Sequence, residues 1–116
     1  TFVPWLDDVR EIYAAADVNV NCSTREPFGR AVIEASACGI PTVCFDDSGA
    51  SETIVDGVSG YVVAAGDEAR FAARVVDLIG APDMNHSIGL AARTAANRFD
   101  APAIAEQMST VIRRAA

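Results

Sequence analysis

The sequence contains no lysine, one histidine and one tryptophan, and its nine basic residues, all arginine, are outnumbered by sixteen acidic ones. The resulting net charge of −7 argues against a nucleic-acid-binding protein, because such proteins present a basic face to the phosphate backbone. The shortage of basic residues is also unfavourable for a phosphate site. A phosphate bound here would need backbone amides at a helix end, or basic residues from outside this chain.

Several other absences exclude functional classes. No apolar run approaches the ~20 residues of a membrane span. No group of residues has metal-ligand spacing, and neither common Gly-rich phosphate loop is present. The sole histidine, His86, is predicted to open a peripheral helix, where a structural role is favoured over that of a general base. The chain begins at Thr1 without Met or a signal-like segment, so we expect a piece of a longer, cytoplasmic protein.

Three cysteines, Cys22, Cys38 and Cys44, lack CxxC spacing and stand in apolar contexts. We expect free, buried thiols in a reducing compartment.

What the sequence does contain is enough apolar material for one domain of 116 residues, 51% of them hydrophobic. Strand-like and helical segments alternate along it. The expected strands are Thr1–Trp5, Val18–Asn21, Thr42–Phe45 and Tyr61–Val63. The expected helices are those around Leu6–Tyr13, from Gly29 to Cys38 with Ala31, Val32, Ala35 and Cys38 along one side, at Glu52–Val55 capped by Ser51, from Asp67 onward, at Ile88–Phe99 and at Ile104–Ile112.

This alternation predicts a three-layer α/β domain with a Rossmann-like parallel sheet, right-handed crossovers and C-terminal helices. Ligands of such sheets bind beyond the carboxyl ends of the strands. The segments Cys22–Gly29 and Asp46–Glu52 both follow expected strands directly. We therefore expect these two loops to line one crevice.

The stretch from Glu26 to Glu34 places two carboxylates eight residues apart, one before a helix start and one inside the helix. A helix start attracts anions, because its first N–H groups lack intrahelical acceptors and the peptide dipoles sum to positive charge. A carboxylate can accept two hydroxyl hydrogen bonds at once, as a sugar or ribose diol offers. Gly29 lets a ligand approach the backbone. These features predict sugar, phosphate and ribose laid across one helix end.

Simpler interpretations remain open from spacing alone. Arg30 and Glu34 form an i, i+4 pair worth only a few tenths of a kcal/mol, and Glu26 could be a solvated loop residue. Glu52 could cap its own helix or form a salt bridge with it.

The run from Ser23 to Val43 resembles the E-x7-E signature of the family 4 (group 1) glycosyltransferases. Ser48-Gly-Ala-Ser-Glu52 and Asp56-Gly-Val-Ser-Gly-Tyr-Val-Val63 are similar to that family's next two motifs, so the resemblance covers nearly the whole chain. Two departures are Asn21-Cys22, which replaces a Pro-containing lead into Ser23, and Ser48, where the family often has Gly.

The resemblance implies a retaining GT-B enzyme of carbohydrate biosynthesis that transfers a sugar from a nucleotide-sugar donor to an acceptor. Glu26 would be the catalytic residue facing the donor sugar, and Glu34 would hold the ribose hydroxyls. The amides around Phe28 and Gly29 would meet the sugar hydroxyls, and those of Arg30 and Ala31 the diphosphate. Additional crevice-lining candidates are Ser23, Ser48, Gly49 and Glu52. No metal or other cofactor is expected.

The resemblance also places residues 1–116 within the C-terminal, donor-binding domain, without the N-terminal acceptor domain. In the family's strand order, 3-2-1-4-5-6, the segment near Phe2 is third and the strands at Val18, Thr42 and Tyr61 are fourth to sixth. We expect the chain alone to be inactive and to self-associate through an exposed strand edge at Val18. Any peripheral membrane contact is expected only through the missing domain. Two alternatives are a non-catalytic nucleotide-sugar-binding domain and a sugar-nucleotide epimerase of the same fold.

Overall fold

The structure, a computed structural model, describes Phe2 and residues 4–115. Thr1, Val3 and Ala116 lie outside the described residues, and part of the strand expected at Thr1–Trp5 lies there with them. The described members of that segment, Phe2, Pro4 and Trp5, belong to no strand.

The sheet of the described residues is parallel and consists of β1 (Asn19–Asn21), β2 (Thr42–Phe45) and β3 (Gly60–Val63). Its order is β1-β2-β3, so β2 pairs on both sides, with Val43 opposite Val20 and Tyr61. Each strand lies within one residue of its expected position. The predicted α/β class with a parallel sheet is therefore confirmed.

The helices in the described part of the chain are α1 (Arg10–Ala14), α2 (Arg30–Ala37), α3 (Glu68–Gly80), α4 (Pro82–Ala96) and α5 (Ala101–Ala115), with short 3-10 turns at Ser51–Thr53 and Asn97–Phe99. α3 begins as expected, because the Asp67 side chain accepts a hydrogen bond from Arg70 N at 3.0 Å.

Several predicted helix boundaries were wrong. α5 starts at Ala101 rather than Ile104 and ends at Ala115 rather than Ile112. α4 starts at Pro82 rather than Ile88, because proline is favoured in a first helical turn, where its missing N–H leaves no bond unmade. His86 therefore lies inside α4 and does not open it. Ser51 is not a cap but the first residue of its 3-10 turn, and its hydroxyl donates to Ser48 O at 2.7 Å. α1 begins only at Arg10, four residues after the predicted start at Leu6.

The two faces of the central strand β2 pack against different helices. On one face Val43 packs with Phe71 and Leu78 of α3 and with Ile88 of α4. On the other face Cys44 packs with Val32 of α2 and with two residues of the following loop, Ala50 and Ile54. The three layers expected from the alternating pattern are present, and burying β2 on both faces explains its continuous apolar sequence.

The buried side of α2 differs from the predicted one. Val32, Ala35 and Ser36 are buried, whereas Ala31 and Cys38 are exposed. Small side chains on the buried side still allow close packing, since Ala35 is fully buried.

Two surfaces of the fold remain uncovered by the described residues. β1 pairs only with β2, so its other edge has no strand partner in the described part of the chain. α5 exposes an apolar stripe at helical spacing, formed by Ile104, Met108, Val111 and Ile112. Among the described residues, no helix is long and apolar enough to cross a membrane.

Candidate functional site

The loops that follow β1 and β2 meet at the carboxyl end of the sheet. Gly49 N in the second loop donates a hydrogen bond to Glu26 O in the first, at 2.7 Å. Residues of both loops, Pro27 and Gly49 among them, line one pocket of about 180 Å³. The two loops that sequence analysis assigned to one crevice are therefore adjacent.

Two glycines make this approach of the loops possible. A Cβ on Gly49 would lie 2.2 Å from Pro27 O, well inside van der Waals contact. A Cβ on Gly29 would lie 2.8 Å from Ala50 Cα, and Gly29 has φ 78°, the left-handed region. Neither position accepts a larger residue without separating the loops.

Helix α2 begins directly after Gly29 and presents open amides to the crevice. Gly29 O accepts from Val32 N at 2.9 Å and from Ile33 N at 3.2 Å. Within the described part of the chain, the amides of Arg30 and Ala31 have no acceptor, and no side chain caps the helix. These two N–H groups, at the positive end of the helix dipole, are the ones the resemblance assigned to a diphosphate.

Glu26 is held in place by a side chain of the preceding strand. Its Oε2 accepts from Nδ2 of Asn21 at 2.8 Å, and Glu26 is half-buried. Glu26 is therefore a partly buried loop residue that is anchored through one carboxylate oxygen. Its second carboxylate oxygen, Oε1, has no protein partner among the described residues.

Glu34 lies one turn into α2, with its side chain 38% exposed. Arg30 Nη2 lies 3.5 Å from Glu34 Oε1, so the i, i+4 pair exists, but at the outer limit of a hydrogen bond. Because the Arg30 side chain is 84% exposed, we expect this pair to contribute well under about 1 kcal/mol. The Glu34 carboxylate remains available to a ligand.

Tyr13 is a neighbour of Glu34 that sequence analysis took only as an apolar helix position. Its hydroxyl donates to Ala31 O at 3.2 Å. Burial raises the pKa of Tyr13, and the Glu34 carboxylate adds to this rise. The tyrosine is therefore a hydrogen-bond donor at neutral pH and joins α1 to the first turn of α2. No local pattern signals this contact, since it joins separate elements.

The remaining crevice candidates differ in accessibility. Gly49 and Glu52 line the 180 Å³ pocket, and Ser23 is exposed. Ser48 is buried, and its hydroxyl donates to Phe45 O at 3.3 Å. Glu52 makes no side-chain ion pair within the described residues; instead its carbonyl accepts from Arg98 Nη2 at 2.8 Å.

Arg98 and Phe99, between α4 and α5, were missed by sequence analysis. Phe99 packs edge-to-face on Phe28, with ring centroids 5.9 Å apart. Both rings also line a second, largely apolar pocket of about 360 Å³ next to Arg30 and Glu34. The crevice is thus completed by the C-terminal part of the chain, for which the sequence offers no motif.

The sole histidine lies outside the crevice. His86 lines a pocket with Asp17 and Gly39, at the amino ends of the strands. Among the described residues, no three His, Cys, Asp or Glu side chains are grouped so that they could hold a metal ion. The expectation of buried thiols was wrong for Cys22 and Cys38, which are exposed. Cys44 is buried, and burial raises its pKa to about 11.

Comparison with known proteins places this chain in a family. The family model described as glycosyl transferases group 1 matches residues 1–95. D-inositol 3-phosphate glycosyltransferase 2 from Catenulispora acidiphila is 37% identical over 115 residues, which are 97% of this chain and 27% of that protein. N-acetyl-alpha-D-glucosaminyl L-malate synthase from Bacillus anthracis is 30% identical, covering 90% of this chain and 28% of its own. The chain spans under a third of the length of these relatives.

Solved structures show the same architecture. Anabaena Alr3699/HepE, in complex with UDP-glucose, has a TM-score of 0.79 and 30% identity, covering 90% of this chain and 29% of that one. Sucrose-phosphate synthase from Thermosynechococcus elongatus has a TM-score of 0.82 and 31% identity, covering 91% of this chain and 27% of that one.

Proposed function

Because the chain belongs to the group 1 glycosyl transferases, we propose that it is the donor-binding part of a retaining family 4 enzyme with the GT-B fold. Such an enzyme transfers a sugar from a nucleotide-sugar donor to an acceptor. The observation that carries the proposal is the open first turn of α2, with two free amides between Glu26 and Glu34. The full-length protein is the polypeptide that carries this chain with whatever precedes or follows it.

The proposed donor runs along the start of α2. Glu34 accepts hydrogen bonds from the ribose hydroxyls, and the amides of Arg30 and Ala31 donate to the diphosphate. The amides around Phe28 and Gly29 contact the sugar hydroxyls. Glu26 faces the sugar itself. The complex of Anabaena Alr3699/HepE with UDP-glucose supports a uridine diphosphate sugar as the first donor to test.

The proposed chemistry is the departure of a nucleoside diphosphate from the anomeric carbon. Negative charge develops on the leaving phosphate, and amides already oriented toward it stabilise that charge without reorganising. Loss of one such donor typically costs a hundred- to thousandfold in kcat, roughly 3 to 4 kcal/mol. Glu26 orients the sugar or stabilises the positive charge that develops on it. The proposal includes no metal ion, so chelation by EDTA should leave turnover unchanged.

The net charge of −7 is the main electrostatic obstacle to this proposal. The two free amides and the helix dipole offset only part of it, since a helix end is equivalent to about half a charge. We therefore propose that basic residues outside this chain complete the diphosphate site. The chain alone should bind donor weakly, show no transfer and self-associate through the free edge of β1.

The test begins with binding of nucleotide sugars to the full-length protein, measured by thermal shift and calorimetry. NMR of the product then determines the anomeric configuration, which should match that of the donor. Glu26→Ala should lower kcat far more than it lowers affinity for the free nucleoside diphosphate. An inverted product would exclude the retaining mechanism, and equal losses in both measurements would exclude the role of Glu26.

The same experiments separate the two alternatives. A non-catalytic binding domain would bind nucleotide sugars without transferring them to any acceptor. An epimerase would convert the donor sugar without an acceptor, which NMR of the donor alone would detect. Transfer by a monomeric preparation of the 116 residues would overturn the proposal that they are only the donor side.

A further inference from the structure

We propose that Asn21 is a positioning residue for Glu26: it holds the carboxylate toward the donor sugar through a neutral hydrogen bond. This inference rests on the proposed function, because it gives Glu26 a ligand to face. The sequence departs from the family resemblance at this position, since Asn21-Cys22 replaces a Pro-containing lead. The structure gives that departure a physical role.

Asn21 is the last residue of β1, and it is buried, with only 7% of its surface exposed. Its side chain makes two hydrogen bonds of opposite kinds. Nδ2 donates to Glu26 Oε2 at 2.8 Å, and Oδ1 accepts from Ser23 N at 2.9 Å. The amide therefore links the end of a rigid strand to the loop that carries Glu26.

The orientation of this amide is fixed by chemistry. A backbone N–H can only donate, so the atom facing Ser23 N must be the amide oxygen. A carboxylate can only accept, so the atom facing Glu26 must be the NH2 group. A flipped amide would lose both bonds in a buried position, which is costly.

The position two residues earlier on the same strand provides a contrast. Asn19 Nδ2 donates to Thr42 Oγ1 at 3.0 Å. A threonine hydroxyl can donate as well as accept, so it can also serve an aspartate at position 19. The two asparagines lie on the same strand, but only Asn21 needs to be a donor.

Because Asn21 is a neutral donor, it holds the Glu26 carboxylate without neutralising its charge as a cation would. No arginine forms a salt bridge with Glu26 within the described residues, so its negative charge is not neutralised by the protein. Oε1 remains free to accept from a sugar hydroxyl. The carboxylate is thus fixed in direction while its charge remains available to the oxocarbenium character that develops on the sugar.

The sharpest variant is Asn21→Asp in the full-length protein. An aspartate retains the acceptor for Ser23 N but replaces the bond to Glu26 with repulsion between two carboxylates. Asn19→Asp is the matched control, with the same change of charge on the same strand. Asn21→Ala removes both hydrogen bonds without adding charge. It replaces Asn21→Asp as the test variant if Asn21→Asp does not fold.

Three measurements report on the role. We expect Asn21→Asp to lower kcat by about tenfold or more, the usual effect of losing a hydrogen bond to a charged group. In Asn21→Asp, affinity for the free nucleoside diphosphate should remain within about twofold of wild type. Affinity for the nucleotide sugar should fall by more than that. Asn19→Asp should change none of the three by more than about twofold. In a Glu26→Ala background, Asn21→Asp should have no additional effect on kcat.

The outcomes separate this inference from the proposed function. Unchanged kcat in Asn21→Asp, or the same loss in both backgrounds, would overturn the positioning role while an active wild type upholds the transferase. A wild type that binds donor without transferring it would refute the catalytic proposal. The ratio of the affinities for the nucleotide sugar and the free nucleoside diphosphate would then still test the role of Asn21. The same ratio in wild type and in Asn21→Asp would reject the positioning role. A wild type that binds no nucleotide sugar would overturn both.

Discussion

The two ends of the sheet differ in whether the nearby backbone groups are hydrogen-bonded, although a pocket of similar size lies at each end. At the amino end, the pocket that contains His86 has a volume of about 350 Å³, close to the 360 Å³ of the pocket beside Glu34. At the amino end the last turn of α2 is closed, because Gly39 N and Ile40 N donate to Ser36 O and Ala35 O at 2.9 Å. Volume therefore does not distinguish the two ends.

Unpaired backbone N–H groups distinguish the two ends of the sheet. The side-chain amide of Asn85 donates to the backbone carbonyls of Asp17 and Leu78 at the closed end, so these two acceptors are partnered. At the crevice end the amides of Arg30 and Ala31 have no acceptor among the described residues. The last turn of α2 is thus hydrogen-bonded while its first turn has unpaired amides, so the two ends differ in unsatisfied backbone groups rather than in empty space.

The largest expected effect comes from substituting two glycines, one at each end of the sheet. A Cβ on Gly49 would lie 2.2 Å from Pro27 O at the crevice end, and a Cβ on Gly89 would lie 2.2 Å from Gly39 O at the closed end. Each change to alanine should lower the free energy of unfolding by roughly 1–3 kcal/mol, seen as a lower Tm. Only Gly49→Ala should also weaken donor binding in calorimetry at a temperature where both variants are folded. Equal weakening by Gly89→Ala would contradict the distinction between the ends.

The next largest effect is expected for the open end of α2. Glu34→Ala in the full-length protein should weaken nucleoside diphosphate binding about tenfold or more, since a lost hydrogen bond to a charged group costs ~1.5 to 3 kcal/mol. Asp17→Ala, beside the closed-end pocket, is the control and should leave the Kd unchanged. An unaltered Kd in Glu34→Ala would remove the ribose role of this residue.

A smaller effect is expected for Arg98, which joins the C-terminal part of the chain to the crevice. Arg98→Ala releases the carbonyl of Glu52, so the loop after β2 should become less ordered and the donor KM should rise roughly two- to tenfold. Arg98→Lys should recover part of the loss, because lysine can donate to the carbonyl but lacks the planar guanidinium over Phe99. Arg93→Ala, an exposed change on α4, should have no effect. A KM that does not respond to Arg98→Ala would mean that the loop is ordered without it.

The smallest effect is a difference in labelling among three thiols. Cys22 and Cys38 are exposed, at the crevice end and at the closed end respectively, so both should react with iodoacetamide at pH 8. Cys44 should remain unlabelled, because it is buried and its raised pKa of about 11 leaves almost no thiolate at that pH. Donor should slow labelling of Cys22 but not of Cys38. Protection of Cys38 instead would place the ligand at the wrong end of the sheet.

Much of the secondary structure could be predicted from local sequence. The continuous apolar run Thr42–Phe45 marks a strand buried on both faces, and Asp67 marks the start of α3. The E-x7-E pattern indicates a helix start between two carboxylates. Pro82 shows the limit of such reasoning, because a proline that ends one helix can equally open the next, as it does for α4.

The sequence by itself determined the alternation of strands and helices and the two carboxylates around the start of α2, because hydrophobic periodicity and helix-start chemistry are encoded within a few residues. Only the tertiary structure decided which groups meet there. Arg98 reaches Glu52 O, and Phe99 reaches Phe28, across long stretches of chain. The bond from Asn21 to Glu26 depends on how the strand directs its last side chain. Such contacts depend on packing between distant segments, which no local pattern records.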